Sequence, residues 1–329
     1  MKNNYVIFWG PQDYYRIAFS DFSKLSNVRY IDGIENIIGD KLYKFHIIHH
    51  SSKINSFISL PFRKVWRKYY FTPDFDDDNP SCFIFHGRYY WMKSIGYFDY
   101  LKEKYPGSKC IFLLWDTVDS YIKYYKGKSY GDFDIEYIKN TFDRVLTYNR
   151  LDSLNYGFEY YPSIYSNIDL SEISPSYDAF FIGKAKDRLD EIHHIYHSLT
   201  TKGFKCDFYV SGVEDLDQRY KETIHYNEFL SYKQVLDHIK NSKGIVEITQ
   251  GGVDGFTFRL NEALISDKNL ITNNSIVENM PYRNSRKIIK IQNIDTLTKD
   301  KFDQYYHESF NYKDDYSPIK FIEYLDKTI

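Results

Sequence analysis

The sequence predicts an α/β protein of two domains, each built on a parallel sheet with helices over both faces. Strand-like and helix-like stretches alternate along nearly the whole chain, as helix-covered sheets require. Continuous apolar runs such as Ile111-Phe112-Leu113-Leu114 suit strands buried on both sides. Between Tyr160 and Tyr177 the alternation breaks into YYPSIYSNIDLSEISPSY, a Ser- and Pro-rich segment that reads as a linker. A length of 329 residues accommodates about two ordinary domains.

In residues 1–162, Tyr5–Trp9 is a short apolar strand closed by Gly10-Pro11, and a helix is expected from Tyr14-Tyr15 to about Ser26. Val28–Ile31, Phe45–His49, Cys82–Phe85, Lys109–Leu114 and Val145–Tyr148 follow as strand candidates. Helical spacing recurs between them, as at Tyr137, Ile138 and Phe142. The pair His49-His50, followed by Ser51-Ser52, reads as a strand end rather than a metal site. Asp74–Asp78 reads as an acidic turn, since it lacks the glycine and terminal glutamate of a calcium loop.

Within Phe57–Phe71 (FISLPFRKVWRKYYF), Pro61 suits the first turn of a helix that continues from it. On it, Arg63, Lys64, Arg67 and Lys68 form a basic face beside Phe62, Val65, Trp66, Tyr69 and Tyr70. Cations next to Trp and Tyr suit an anionic membrane surface, and a solvated helix would carry the same residues.

After the linker (163–177) a second series fills 178–305. It runs strand Asp178–Ile182, helix Asp187–Lys202, strands Lys205–Val210 and Ile224–Tyr226, and helix Tyr232–Asn241. Next come strand Gly244–Thr249, a glycine-rich loop Gln250–Gly255, helix Phe256–Asp267 and strand Asn269–Thr272. Phe256, Leu260, Ala263 and Leu264 share one face of that helix. Strand Lys287–Ile291 and helical segments Asp295–His307 and Ser317–Lys327 close the chain, the segment 306–329 being long enough to pack back on the first domain.

Composition narrows the function classes. Hydrophobic content of 43% and charge of 27% are those of a soluble globular protein. A net charge of -2 argues against a general nucleic-acid binder. The 34 tyrosines are scattered, which reads as a compositional bias rather than a binding platform. Cys82, Cys110 and Cys206 lack paired spacing and read as buried thiols of a reducing compartment. With no secretory signal and no apolar run near ~20 residues, a cytoplasmic protein is expected.

Three places carry candidate chemistry. A strand entering a glycine loop that opens a helix presents free backbone N–H groups at the positive end of the helix dipole, where a phosphate is held well. Glycine lets the backbone approach that ligand. At the first turn of the second domain, Gly183 permits a sharp bend, and Lys184 and Arg188 place cations against the dipole, which bound phosphate would explain. Near the helix that starts at Tyr232, Tyr226, Phe229 and Leu230 read, by themselves, as a staple of that helix. In the first domain Asp13, His86 and Asp116 each follow a strand end, where open α/β sheets bind ligands and where a general base would stand. Asp13 and Asp116 also suit helix N-caps.

Asp254-Gly255-Phe256, then Glu262-Ala263-Leu264, then Lys268-Asn269-Leu270-Ile271, resembles the donor-site signature of GT-B glycosyltransferases, in a form similar to enzymes of bacterial capsule and lipopolysaccharide assembly. The resemblance implies two Rossmann-like domains facing across a cleft, with the acceptor on the first and a nucleotide-diphospho sugar on the second. It implies Asp254 against the sugar, Glu262 on the ribose, and Gly183, Lys184 and Arg188 on the diphosphate. Phe229 would touch the base, and Gln250, Gly251, Gly252, Gly255, Phe256 and Thr257 would complete the donor loop. The acceptor implied is a glycan, lipid-linked in many such enzymes, and neither a metal nor another cofactor is needed. Asp rather than Glu at the first acidic position, after Thr249-Gln250-Gly251-Gly252, leaves retention or inversion open. Rivals are a polyol-phosphate transferase using a cytidine nucleotide and a non-catalytic nucleotide- or sugar-binding homologue. A nicotinamide dehydrogenase fits poorly, because Gly10-Pro11-Gln12 is no G-x-G-x-x-G.

Overall fold

The computed structural model describes residues 3–329 apart from 11, 32, 72–74, 76–79 and 171–173. The chain divides into two compact units, Met1–Pro162 with Pro318–Ile329, and Ser163–Ser317.

The first unit holds six parallel strands, β1 (Tyr5–Phe8), β2 (Val28–Ile31), β3 (Cys82–His86), β4 (Lys109–Leu114), β5 (Arg144–Thr147) and β6 (Glu159–Tyr160), in the order β2-β1-β3-β4-β5-β6. β1 and β3 are buried at every position, as expected of inner strands covered on both faces. Aromatic rings fill the layers that aliphatics fill elsewhere: Phe8 stacks on Phe85 at 4.7 Å, and Tyr97 meets Phe8 edge-on at 5.9 Å. Part of the tyrosine-rich composition is therefore core material here, Tyr5, Tyr70, Tyr90 and Tyr97 being fully buried. The last helix, Pro318–Thr328, belongs to this unit. Its Asp326 accepts hydrogen bonds from Tyr5 and Asn3 at 2.8 and 3.0 Å, and Tyr324 and Thr328 take bonds from Arg144 at 2.8 and 2.7 Å.

Several expected elements differ. Phe45–His49 is not a strand but part of the helix Asp40–His50, so His49-His50 end a helix. A short apolar run cannot be assigned by periodicity alone. Here His46 turns inward while Phe45, Ile47 and Ile48 face solvent. The helix expected to start at Pro61 does not start there, because Phe62 adopts φ 60°, a left-handed geometry incompatible with a helical first turn. Only a 3-10 helix, Arg63–Tyr69, follows. Arg63 bonds Ser94 Oγ at 2.7 Å and Arg67 bonds the Ile95 carbonyl, so two of the four cations assigned to a basic face are committed to the unit itself. The helix expected to reach Ser26 stops at Ala18 and resumes as 3-10 turns over Ser20–Lys24. The acidic run 74–78 lies outside the described residues except for Phe75.

The second unit repeats the plan with β7 (Tyr177–Lys184), β8 (Cys206–Ser211), β9 (Ile224–Tyr226), β10 (Ser242–Glu247), β11 (Asn269–Thr272) and β12 (Ile288–Lys290), all parallel, in the order β12-β11-β10-β7-β8-β9. Numbered within the unit, that is 3-2-1-4-5-6 from the β9 edge, the order of dinucleotide-binding folds. The strand order reverses between β7 and β10, which defines the switch point where such sheets bind ligands. The helical segment expected over 295–307 is a 3-10 stretch, Ile291–Thr296, and then a helix, Lys299–Tyr306, capped by Thr298.

Candidate functional site

At this switch point β7 ends in Gly183-Lys184 and β10 delivers the glycine loop. Arg188 ties the two loops together. Its guanidinium bonds the Lys184 carbonyl through Nη2 and Nε at 3.0 and 3.2 Å, and its Nη1 bonds the Ile248 carbonyl. A Cβ on Gly183 would lie 2.9 Å from Arg188 Nη2, so a glycine sits where the guanidinium crosses. Burial lowers the pKa of Arg188, whose other neighbours are acidic. Lys186, at φ 47°, makes a second tie from its Nζ to Gln250 Oε1 at 2.8 Å. Lys184 is exposed and, among the described residues, has no ion-pair partner.

Beneath the loop lies Glu247, a buried carboxylate whose pKa is raised by burial. It accepts hydrogen bonds from Thr272 at 2.6 Å, from Asn274 at 3.5 Å, and from Thr257. Thr257 in turn caps the helix Phe258–Ile265 by accepting from Leu260 N at 3.2 Å. The helix thus starts two residues later than spacing predicts, since Phe256 packs against Tyr316 at 4.2 Å instead of joining it. Asp254 is buried and accepts from Ser275 Oγ at 2.8 Å, and Asn274 donates to the Gly255 carbonyl at 2.9 Å. The loop base is pinned while its tip, Gly251-Gly252, is exposed, with Gly252 at φ 83°. Such a loop holds its amides in place before any ligand arrives.

Glu262 is fully buried. One oxygen accepts from Tyr232 at 2.5 Å, the other pairs with Arg259, and the Tyr232 hydroxyl also meets that of Tyr165. A carboxylate has about four acceptor positions, so two bonds leave capacity for a further donor. Tyr232 opens the helix Tyr232–Lys240, which carries a Ser231–Gln234 capping box. Phe229, three residues earlier, is 89% exposed. Lys186, Glu247 and Tyr232 are the site residues that sequence reasoning missed. The Thr257 and Thr272 hydroxyls converging on Glu247 had no one-dimensional signal.

In the first unit the corresponding switch point falls between β1 and β3. Asp13 is exposed in the first turn of the helix Asp13–Ala18, whose N-cap is Gln12. Asp116 is exposed and accepts from Thr117 N at 2.8 Å, while Thr117 is the cap of the next helix. His86 is buried, and burial pulls its pKa down to about 3. Both ring nitrogens are engaged, Nδ1 by Arg88 N at 3.1 Å and Nε2 with the Tyr15 hydroxyl at 3.3 Å. Gly10, Gln12, His46, His50, Arg88 and Trp91 line part of a pocket of about 420 Å³ at this switch point. Among the described residues no three His, Cys, Asp or Glu side chains group as a metal site. No helix of the described residues is long and apolar enough to cross a membrane.

By sequence, no protein-family model and no curated protein matches the chain. Solved structures do resemble it. An α-glucosyltransferase, solved with UDP and a 13-mer DNA containing a central A:G mismatch, aligns over 93% of this chain and 90% of its own, at 10% identity and TM-score 0.53. The UDP-GlcNAc 2-epimerase of Methanocaldococcus jannaschii, solved with UDP-GlcNAc and UDP, aligns over 99% of both chains at 12% identity and TM-score 0.48. The fold is therefore GT-B, composed of two six-stranded Rossmann-like units.

Proposed function

We propose that this chain is a glycosyltransferase that moves a sugar from a nucleotide-diphospho sugar to a glycan acceptor during assembly of a bacterial surface polysaccharide. The observation that carries the reading is the second switch point, where Lys184, Lys186 and Arg188 gather around a pinned glycine loop. Three cations beside preorganised amides suit a diphosphate, and they would neutralise the charge that develops as it departs. Glu262 would take ribose hydroxyls on its remaining acceptor positions, Asp254 would orient the sugar, and Phe229 would cover the base. Screening nucleotide sugars for nucleotide release, with and without mixed glycan acceptors, tests the reading. Binding without release under any acceptor would favour the non-catalytic rival.

On the acceptor side we assign the base to Asp13. It is exposed beside the first switch point, whereas His86 is enclosed and Asp116 is tied to its own turn. Asp13→Asn is expected to lower kcat by roughly 10²–10⁴-fold and leave donor affinity unchanged, as for a group that acts in the transition state. Steady-state kinetics with donor titration measures both; near-normal kcat would remove Asp13 from the chemistry.

The acceptor is proposed to be lipid-linked, with the first unit resting on an anionic membrane. Residues 41–71 contain seven Lys and Arg and no Asp or Glu. The same stretch exposes Phe57 (84%) and Phe62 (79%), along with Phe45 and Ile58. Large exposed apolar side chains in a cation-rich stretch suit an anionic bilayer.

A further inference from the structure

The pocket of the first unit points to the chemistry of what it holds. It lies where β1 hands over to Gly10 and Gln12 and β3 to Arg88, the place where a sheet of this order binds ligands. At about 420 Å³ it falls in the size range of small-molecule sites, roughly 300–1,000 Å³. Tyr43, Tyr89, Trp91, Tyr124 and Tyr130 supply flat aromatic walls, and among the described residues no carboxylate lines it.

Two further features narrow the ligand. Arg88 is exposed, and among the described residues its guanidinium has no hydrogen-bond or ion-pair partner. Its companions His46 and His50 carry no charge at neutral pH, because burial pulls their pKa values down to about 4 and about 3. Arg88 is thus the one formal charge among the described lining residues.

The imidazoles also have a fixed proton pattern. His46 Nε2 and His50 Nε2 lie 3.0 and 3.2 Å from the same Tyr70 hydroxyl. That hydroxyl has one proton, so it donates to one ring and accepts from the other. It follows that one Nδ1 carries a hydrogen and the other is bare. Among the described residues both Nδ1 atoms are buried without a partner, as is Gln12 Oε1. Buried polar atoms without partners are costly, and a hydroxyl-bearing ligand, both donor and acceptor, relieves that cost.

We propose that this pocket binds an anionic pyranose unit, a sugar bearing a carboxylate or a phosphate. Its charge pairs with Arg88, its hydroxyls meet the His46–His50 pair and Gln12, and its C–H face lies on the aromatic walls. A neutral sugar would leave the guanidinium unpaired, and a cationic one would be repelled. Binding itself does not require transfer; identifying the bound unit as the acceptor terminus rests on the transferase reading.

Calorimetric titration of the full chain, without nucleotide, tests this with methyl β-glucuronide, methyl glucoside 6-phosphate and methyl β-glucoside. One of the two anionic glycosides is expected to bind at least about tenfold more tightly than the neutral one, and which of them does so identifies the anion. Arg88→Gln should bring that glycoside down to the neutral level, whereas Arg88→Lys should keep part of the preference. Equal affinity for all three, or a preference that survives Arg88→Gln, overturns the proposal. Titrating UDP, GDP and CDP into the same sample reports on the second unit separately, so a failed transferase reading and a failed pocket assignment give different results.

Discussion

Replacing Glu262 with alanine is expected to destabilise the second unit by about 3–5 kcal/mol, the cost of leaving one partner of a buried ion pair alone. Glu262 has no solvent exposure, and its partner Arg259 keeps only 24% of its side chain exposed. The substitution also deprives the Tyr232 hydroxyl of its acceptor, inside a pair with Tyr165. Because Arg259 retains some contact with water, the lower end of the range is the better expectation. Urea unfolding gives the number directly, and a loss under about 1 kcal/mol would mean that Arg259 swings out to solvent. The consequence for function is practical: Glu262→Ala confounds folding with nucleotide binding. Glu262→Gln keeps an acceptor for Tyr232 and should still weaken a nucleotide by about 1.5–3 kcal/mol if the carboxylate holds the ribose.

Triple replacement of Phe57, Ile58 and Phe62 by serine is expected to reduce partition onto anionic vesicles by about 100-fold or more. Full burial of one such side chain is worth about 1.5–3 kcal/mol, so even partial insertion of three exceeds a tenfold effect several times over. Each cation near the surface adds roughly 1 kcal/mol and is screened by salt. Arg63 and Arg67 are held by Ser94 and Ile95, and Lys68 lies over the Tyr69 ring at 4.9 Å, so the charge of that turn is only partly available to lipid. The apolar term therefore dominates, and sedimentation with vesicles should weaken at high salt without vanishing. Vesicles that ignore the wild type, or that hold the triple variant equally well, would show that this patch does not meet lipid.

The fold was legible because the strands carry it. Lys109–Leu114 and Val28–Ile31 match their expected bounds; in the first, the uninterrupted apolar run Cys110–Leu114 leaves little choice. Phe45–His49 failed for the converse reason: its apolar residues are exposed, so the pattern reported a surface patch rather than a core face. The helix expected from Pro61 starts two residues late and only as 3-10 winding, after Phe62, whose left-handed backbone no local propensity announces. Around the site, glycines and cations were visible as chain-local features. The ties that shape it were not, because Arg188 to Ile248, Lys186 to Gln250 and Glu247 to Thr272 join residues 60, 64 and 25 positions apart. Pair contacts at that separation arise from strand order, which composition and spacing leave undetermined.

The central claim is that the switch point of the second unit holds a nucleoside diphosphate. Calorimetric titration of UDP, GDP and CDP, each beside its free nucleoside, into the wild type and a Lys184→Ala, Lys186→Ala double variant tests it most directly. One diphosphate is expected to bind well above its nucleoside. In the double variant that diphosphate should lose roughly tenfold or more in affinity, with the nucleoside unaffected, because each charge-assisted bond to phosphate contributes about 1.5–3 kcal/mol. No binding by any diphosphate, or equal weakening of diphosphate and nucleoside, would contradict a phosphate site at these loops.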